Sequence, residues 1–233
     1  MTDLSSFNIM KFAGGQQNLK IVDESAVLSG SDSGSPLMRR RILRAPLNLS
    51  RARTVLLSYS IFFPATFDFV KGGKLPGMYG GHEGCSGGNK AEDCFSTRLM
   101  WREGGAGELY LYAPKNQQTA SLCSDSQSVC DAAWGLSIGR GSFTFNRGEW
   151  TRVRQIVRLN TPGVPDGGFE LWVEGRRVIQ RGDVYYRGTG TGSSGSGSTT
   201  TPGVTFFGGH EKEWASPRDQ YVWFKGFEME RIA

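Results

Sequence analysis

The segment FSTRLMWREGGAGELYLY, residues 95–112, decides the fold class, because apolar residues alternate with other residues on both sides of a glycine-rich turn. In a β-strand, successive side chains point to opposite faces of the sheet. One face therefore receives a set suited to a core: Phe95, Thr97, Leu99, Trp101, Leu109 and Leu111. Three turn residues, Gly104, Gly105 and Gly107, join the two strands, so the segment predicts an antiparallel hairpin with one buried side.

The opposite side of this hairpin gathers chemically active groups. Its members are Ser96, Arg98, Met100 and Arg102 on the first strand, and Glu108, Tyr110 and Tyr112 on the second. Two phenols, a hydroxyl and two guanidinium groups on one exposed sheet face could form a ligand site. An ordinary solvated sheet is the alternative, since tyrosine and arginine are common there.

Composition extends the β pattern to the whole chain. Glycine supplies 33 of the 233 residues, about twice the usual ~7%, and no segment shows sustained helical periodicity. Short alternating or apolar runs predict strands at 19–28, 39–43, 55–63, 95–102, 108–112, 136–138, 141–145, 150–159, 169–173, 178–186, 204–207 and 222–232. So many strands without helices between them predict an all-β, two-sheet antiparallel sandwich such as a β-jelly roll.

We expect residues 1–233 to form a single domain. Residues 188–203 consist almost entirely of Gly, Ser and Thr, a composition that is typical of flexible segments. We interpret this segment as a flexible loop within the domain rather than a linker, because the chain that follows it is too short for a second domain.

The net charge of +5 favours an anionic partner. Arginines at 39–41 could belong to a nucleic-acid patch, but no nucleic-acid-binding motif accompanies them, and we expect a solvated strand edge and no nucleic-acid partner. The longest apolar run, residues 55–70, is interrupted by Pro64 and Asp68, so we expect no membrane association. We also expect a monomer.

Four cysteines form two close pairs, Cys85/Cys94 and Cys123/Cys130, in Gly/Ser/Asp/Asn-rich segments. Their spacings differ from those of zinc knuckles, and we predict two local disulfides, with a zinc site or free thiols as the alternatives. Disulfides imply an oxidising compartment and hence secretion. The chain begins without the basic and apolar regions of a signal peptide, and we expect that such a leader has been replaced by Met1.

Metal-ligand spacing is absent elsewhere in the sequence, so we expect no metal site and no required cofactor. A structural calcium held by loop carbonyls would leave no mark in the sequence.

The segment KGGKLPGMYGGH, residues 71–82, surrounds Lys74, Tyr79 and His82 with glycines. This pattern suggests backbone held close to a ligand, although a plain glycine-rich turn is the alternative. It lacks the residue order of a phosphate-binding loop. His210 lies in another expected loop, with either a surface role or a ligand contact. Gln155 alternates with valines, and this pattern is compatible with a side chain in the core or on the ligand-binding face.

Taken in order, GKLPG at 73–77, FSTR at 95–98 and ELYLY at 108–112 resemble the polysaccharide lyases of family 14 and the related alginate and glucuronan lyases. The resemblance continues through GRGSF at 139–143, Trp150, ELWV at 170–173 and FFGG at 206–209. It implies a β-jelly roll whose concave face binds an acidic polysaccharide. The catalytic residues implied by the motifs are Lys74, Ser96, Arg98, Tyr110 and Tyr112. We add Tyr79, His82, Arg102, Gln155 and His210 as candidate substrate contacts.

The implied reaction is β-elimination in a β-1,4-linked polyuronate, either glucuronan or mannuronan-type alginate, which leaves unsaturated uronate ends. A cation must neutralise the carboxylate beside the C5 proton, and Lys74 or Arg98 could do so with Ser96 donating. One tyrosine, its pKa lowered by nearby positive charge, could remove the proton, and a phenol could protonate the leaving oxygen. The sequence does not assign these two roles.

Two other functions compete with this hypothesis. Glycoside hydrolysis requires two opposed carboxylates, and Glu108 is the only acidic residue on the predicted face. A non-catalytic jelly-roll lectin that binds acidic glycans is the second alternative.

Overall fold

The computed structural model describes residues 38–39, 52–81, 85–130, 133–189, 206–207 and 211–232. Their regular structure consists of β-strands and short 3₁₀ turns, with no α-helix in these ranges. The strands are β1 (Met38–Arg39), β2 (Thr54–Phe62), β3 (Gly72–Gly81), β4 (Cys94–Arg102), β5 (Ala106–Tyr112), β6 (Leu136–Thr144), β7 (Trp150–Arg158), β8 (Gly167–Val173), β9 (Arg176–Val184), β10 (Phe206–Phe207) and β11 (Trp223–Arg231).

The strands form two sheets with the apolar core between them. The six-stranded sheet has the order β1-β11-β2-β7-β8-β9, and the five-stranded sheet has the order β10-β3-β4-β5-β6. Neighbours are antiparallel, except for the parallel pair β1 and β11. Leu57 and Ile61 of the first sheet and Leu99 and Trp101 of the second are fully buried in one core cluster. The predicted β-jelly roll, an antiparallel two-sheet sandwich, is confirmed.

The hairpin predicted from residues 95–112 is present. β4 and β5 pair with Ser96 opposite Tyr112 and Arg98 opposite Tyr110. A 3₁₀ turn, Glu103–Gly105, joins them. Gly104 and Gly105 have φ values of 67° and 86°, in the left-handed region where glycine carries no Cβ penalty. The alternation in the sequence therefore assigned the two faces of these strands correctly.

The glycine-rich segment, by contrast, is a strand rather than the expected loop. Residues 72–81 form β3, which pairs with β4 on one side and β10 on the other, and Leu75 and Met78 point into the core with no exposed surface. Glycine lowers strand propensity, but pairing on both sides and two buried apolar side chains outweigh that preference here. The segments expected at 136–138 and 141–145 also differ, because they form the single strand β6.

Several expected segments lie outside the described residues. They are the strand at 19–28, most of the strand at 39–43, and most of the flexible loop at 188–203.

Both predicted disulfides are present. Cys85–Cys94 has a Cα–Cα distance of 5.8 Å and Cys123–Cys130 one of 6.3 Å. The first bridge fastens a loop to the start of β4, and the second closes a loop before β6. Among the described residues, no helix is long and apolar enough to cross a membrane.

Candidate active site

Four adjacent strands, β3 to β6, bring the predicted residues together on the outer side of the five-stranded sheet. The cross-strand rows are Lys74–Met100–Glu108, then Gly77–Arg98–Tyr110–Ser137, then Tyr79–Ser96–Tyr112. We call this surface the polar face. The five residues expected to be catalytic lie within these three rows.

A β-bulge in β3 places Lys74 on the polar face. Between Lys74 and Gly77 the strand advances three residues, whereas its partner β4 advances two, from Met100 to Arg98. Without the extra residue, alternation from Gly77 would turn Lys74 toward the core. Tyr59 Oη donates a hydrogen bond of 2.8 Å to the carbonyl of Pro76 from inside the sandwich, which supports the bulge from the core side.

The electrostatic environment of Lys74 disfavours its charged form. Its Nζ lies 5.4 Å from the centroid of the Tyr110 ring. Burial, together with the positive charges of Arg98 and Arg102, lowers the pKa of Lys74 from 10.5 to about 8. Near neutral pH, part of the population therefore carries a neutral amine that can accept a proton.

Arg98 is a partly buried guanidinium beside the two tyrosines. Its Nε atom is buried and has no hydrogen-bond partner among the described residues. Burial lowers the pKa of Arg98, while the neighbouring tyrosines act in the opposite direction. A guanidinium with a buried, unmatched donor is suited to a carboxylate ligand, which can accept two parallel hydrogen bonds.

The two catalytic candidates on β5 are held by backbone amides. The Gly135 N–H donates to Tyr110 Oη and the Gly88 N–H donates to Tyr112 Oη, both at 3.1 Å. A Cβ on Gly135 would lie 2.6 Å from Cε2 of Tyr112, so only glycine lets this amide approach the rings. The two rings meet edge to face, with centroids 5.6 Å apart.

The sequence predicted that Tyr110 and Tyr112 lie on an exposed face, but their side chains are buried, with 7% and 2% of their surface exposed. Burial, followed by the interaction with Tyr112, raises the pKa of Tyr110 well above its usual value of 10. Tyr110 therefore stays protonated across the physiological range and can donate a proton.

Residues 85–91, which we call the cover segment, account for much of this burial. The Cys85 carbonyl accepts a hydrogen bond of 3.2 Å from Ser96 Oγ, and the Cys85 N–H donates to Tyr79 Oη at 3.3 Å. Ser96 has no exposed surface. The structure thus gives Ser96 and Tyr79 partners within the protein, and the Ser96 proton points to the cover segment rather than to a substrate.

Glu108 and Arg102 form an ion pair at one edge of the polar face. Glu108 is fully buried and accepts hydrogen bonds from Arg102 Nη2 at 2.6 Å, Arg140 Nε at 2.9 Å and Ser137 Oγ at 2.5 Å. Because its carboxylate is occupied by internal donors, Glu108 is not placed as one member of an opposed catalytic pair.

Comparison with known proteins places this arrangement in a family. The model of the family described as Polysaccharide lyase 14 matches residues 23–227. The chain belongs to polysaccharide lyase family 14. The predicted family is thereby confirmed.

Three relatives show how far the similarity to this polysaccharide lyase extends. The marine PL-14 alginate lyase from Aplysia kurodai is 36% identical with a TM-score of 0.66, and the match covers 78% of this chain and 71% of that one. Alginate lyase vAL-1 from Chlorella virus shares the fold, at 23% identity, a TM-score of 0.63 and coverage of 78% and 72%. Exolysin of Paramecium bursaria Chlorella virus 1 is 28% identical over 179 residues, which are 68% of this chain and 27% of Exolysin. The chain thus spans about a quarter of the length of this curated relative.

Gln155 is not a substrate contact of this lyase, and the expectation is corrected. It has no exposed surface and accepts a hydrogen bond of 3.0 Å from Thr97 Oγ1 between the two sheets. Its alternation with Val153 and Val157 therefore marked a core position. His82 and His210, two further expected contacts, lie outside the described residues.

Arg102 lies on the polar face of the lyase, as expected, but its side chain is only 15% exposed and is paired with Glu108. Its guanidinium carbon lies 5.6 Å from the Tyr110 ring centroid and 5.9 Å from that of Trp214. Sequence reasoning did not single out Arg140 or Trp214. Arg140 stands within the GRGSF motif, whereas Trp214 follows the low-complexity segment and carried no signal.

The described residues contain no group of three or more His, Cys, Asp or Glu side chains arranged to hold a metal ion.

Proposed function

We propose that this polysaccharide lyase cleaves β-1,4-linked polyuronate by β-elimination and leaves unsaturated uronate ends. The observation that carries the proposal is the meeting of three groups on the polar face: an amine of lowered pKa at Lys74, a guanidinium with an unmatched donor at Arg98, and a protonated phenol at Tyr110. Base, carboxylate ligand and acid are the three functions that β-elimination requires.

In the first step, Arg98 binds the carboxylate of the sugar whose C5 proton is to be removed. Negative charge spreads from C5 onto this carboxylate in the transition state, and a fixed guanidinium stabilises that charge. The low exposure of the neighbouring tyrosines excludes water and strengthens the interaction.

In the second step, the neutral Lys74 amine takes the C5 proton, and the electron pair of that bond forms the C4–C5 double bond. The bond from C4 to the glycosidic oxygen breaks, and Tyr110 Oη gives its proton to the leaving oxygen. Return of a proton from Lys74 to the Tyr110 phenolate, directly or through solvent, restores the enzyme. The raised pKa keeps Tyr110 protonated, so that it carries the proton an acid needs and is not the phenolate a base requires, and Lys74 therefore replaces tyrosine as the preferred base.

Mannuronan-type alginate is the substrate that we expect to react fastest. The relative that shares 36% identity is named as an alginate lyase, and this likeness supports alginate as the preferred substrate. Glucuronan remains the second substrate to test, because the two polymers differ only in configuration at C2 of each unit.

Two disulfides support a secreted protein, because such bridges persist in oxidising compartments. We expect a monomer whose partner is the acidic polysaccharide itself, with no nucleic acid or membrane partner. The proposed steps use side chains of the chain alone, so activity should survive treatment with a chelator. A fall in thermal stability after chelation would instead reveal a structural calcium.

Incubation with alginate and with glucuronan tests the proposal directly. The conjugated unsaturated uronate absorbs in the ultraviolet, and its absorbance should rise with time, while a neutral β-glucan should give no signal. New reducing ends without this absorbance would indicate a hydrolase. Polymer binding with neither signal would indicate a lectin.

A further inference from the structure

Glu108 is a buried carboxylate that the proposed steps do not use. It lies on β5 two residues before Tyr110 and in the same cross-strand row as Lys74. Two guanidinium groups and one hydroxyl donate to its two oxygens. A buried charge is costly unless it is fully paired, and these three donors supply that pairing for Glu108.

One of the donors to Glu108, Arg102, also contacts Tyr110. Its guanidinium carbon lies close to the ring centroids of both Tyr110 and Trp214, at 5.6 Å and 5.9 Å, and its positive charge lowers the pKa of Tyr110, against the larger effect of burial. The Arg102 Nε atom is buried without a partner among the described residues. Among the described residues, Arg102 thus contacts two aromatic rings and donates a 2.6 Å hydrogen bond to Glu108.

The segment that carries Trp214 is held close to the five-stranded sheet by an ion pair. Trp214 ends a 3₁₀ turn, Lys212–Trp214, and the adjacent Glu213 pairs with Lys71, which immediately precedes β3. Glu108 accepts a hydrogen bond from the Arg102 guanidinium, and a bond of this kind can fix where the guanidinium lies beside the Tyr110 ring.

We propose that Glu108 is a positioning residue for the lyase reaction: it holds Arg102 beside Tyr110, where the guanidinium stabilises the phenolate that forms when Tyr110 protonates the leaving oxygen. This inference rests on the proposed function. The Tyr110 phenolate exists only after proton transfer, so Arg102 stabilises the transition state more than the bound substrate. Loss of Glu108 should accordingly reduce kcat and leave KM nearly unchanged.

A double-mutant cycle tests whether Glu108 acts through Arg102. The variants are Glu108→Gln, Arg102→Gln and the double variant, with Glu170→Gln on the outer face of the other sheet as the matched control. We expect kcat on alginate to fall about tenfold in Glu108→Gln, within the range of coupling between contacting residues. In the Arg102→Gln background, the same substitution should cause no further loss, and Glu170→Gln should keep wild-type kcat.

Independent effects of the two substitutions on kcat would overturn the inference, as would a folded Glu108→Gln enzyme with wild-type kcat. Should Glu108→Gln fail to fold, Glu108→Asp keeps the charge but shortens the side chain, and kcat should fall for the same reason. Wild-type kcat in a folded Glu108→Asp enzyme would then overturn the inference.

A crystal structure of the variant separates this inference from the proposed function. In Glu108→Gln, the Arg102 guanidinium should move away from its place beside the Tyr110 ring. An unchanged position would overturn the positioning role whatever the activity. A wild-type protein that never produces unsaturated uronate would overturn the proposed function instead.

Discussion

At Lys74, burial and two guanidinium neighbours all oppose the charged ammonium, so the residue lowers the stability of the fold in the state that predominates at neutral pH. A group whose pKa is perturbed by several effects in the same direction is characteristic of functional sites. The conflict between stability and reactivity at this one side chain leads to a measurable trade-off.

Lys74→Met should abolish turnover and raise the free energy of unfolding. The folded pKa of about 8 lies below the unfolded value of 10.5, so the penalty is complete below pH 8, declines as pH rises toward 10.5, and is absent above it. We expect a gain of about 1–3 kcal/mol at pH 7, measured by urea unfolding. Equal gains at pH 7 and near pH 10.5 would contradict this account.

The pH dependence of kcat/KM should report the same group. A base that works as the neutral amine predicts activity that climbs as pH rises through about 8. The decline should come only above the ordinary tyrosine range, because the acid Tyr110 has a raised pKa. An ascending limb centred well below neutrality would point to a different base.

The variants Tyr110→Phe and Tyr112→Phe should show which of the two tyrosines protonates the leaving oxygen. Each removes one hydroxyl and leaves the ring packing, so both variants should fold. Loss of the proton donor at Tyr110 should reduce kcat by about 10²–10⁴-fold, and the loss at Tyr112 should be smaller. Steady-state rates at the pH optimum provide the measurement, and the reverse order would assign the acid to Tyr112.

At the scale of elements, the alternation in β4 and β5 was enough to predict which side chains share the polar face. It did not predict β3, because six residues of glycine and proline within Gly72–Gly81 lower the intrinsic strand preference, and pairing partners far along the chain decide the outcome. The bulge beside Lys74 was equally invisible, since it depends on register against β4.

The burial of the polar face could not be derived from local pattern either. The cover segment reaches Tyr112 and Ser96 through single hydrogen bonds from a loop, and no periodicity encodes such contacts. Gln155 was misassigned for a related reason. A polar residue at a core position suggests a ligand contact until its partner Thr97, distant in sequence, is known.

The two disulfides offer a matched comparison between loops. The entropy model gives a stabilisation of about 2–3 kcal/mol for closing either short loop. Replacing Cys85 and Cys94 by serine should cost this amount and also reduce kcat strongly, because the cover segment holds Tyr79, Ser96 and Tyr112.

Replacing Cys123 and Cys130 by serine is the control for that experiment. This pair should lose similar stability and retain most activity, as judged by thermal unfolding and ultraviolet rate assays on both double variants. Equal activity loss in the two double variants would show that the cover segment has no special role.

At the scale of the molecule, the net charge of +5 should attract a polyanionic substrate over distances comparable to the Debye length. Raising the salt concentration should therefore increase KM severalfold while kcat changes little, since the proposed catalytic groups are buried or half-buried. Initial rates across a salt series measure this effect, with sucrose at equal osmolality as the control. A fall in kcat at constant KM would contradict it.

The strands that carry the polar face are consecutive in the chain as well as adjacent in the sheet, from β3 through β6. The proposed catalytic groups are thus encoded by one uninterrupted stretch, residues 72–144, while the opposite sheet is assembled from segments on either side of it. Recombination between related genes could exchange this stretch as one unit, and the recipient protein would acquire the substrate preference of the donor. The sheet that receives this stretch would need a glutamine opposite Thr97, because Thr97 donates a buried hydrogen bond to Gln155 of the other sheet. A chimaera without that glutamine would leave the Thr97 hydroxyl without its acceptor.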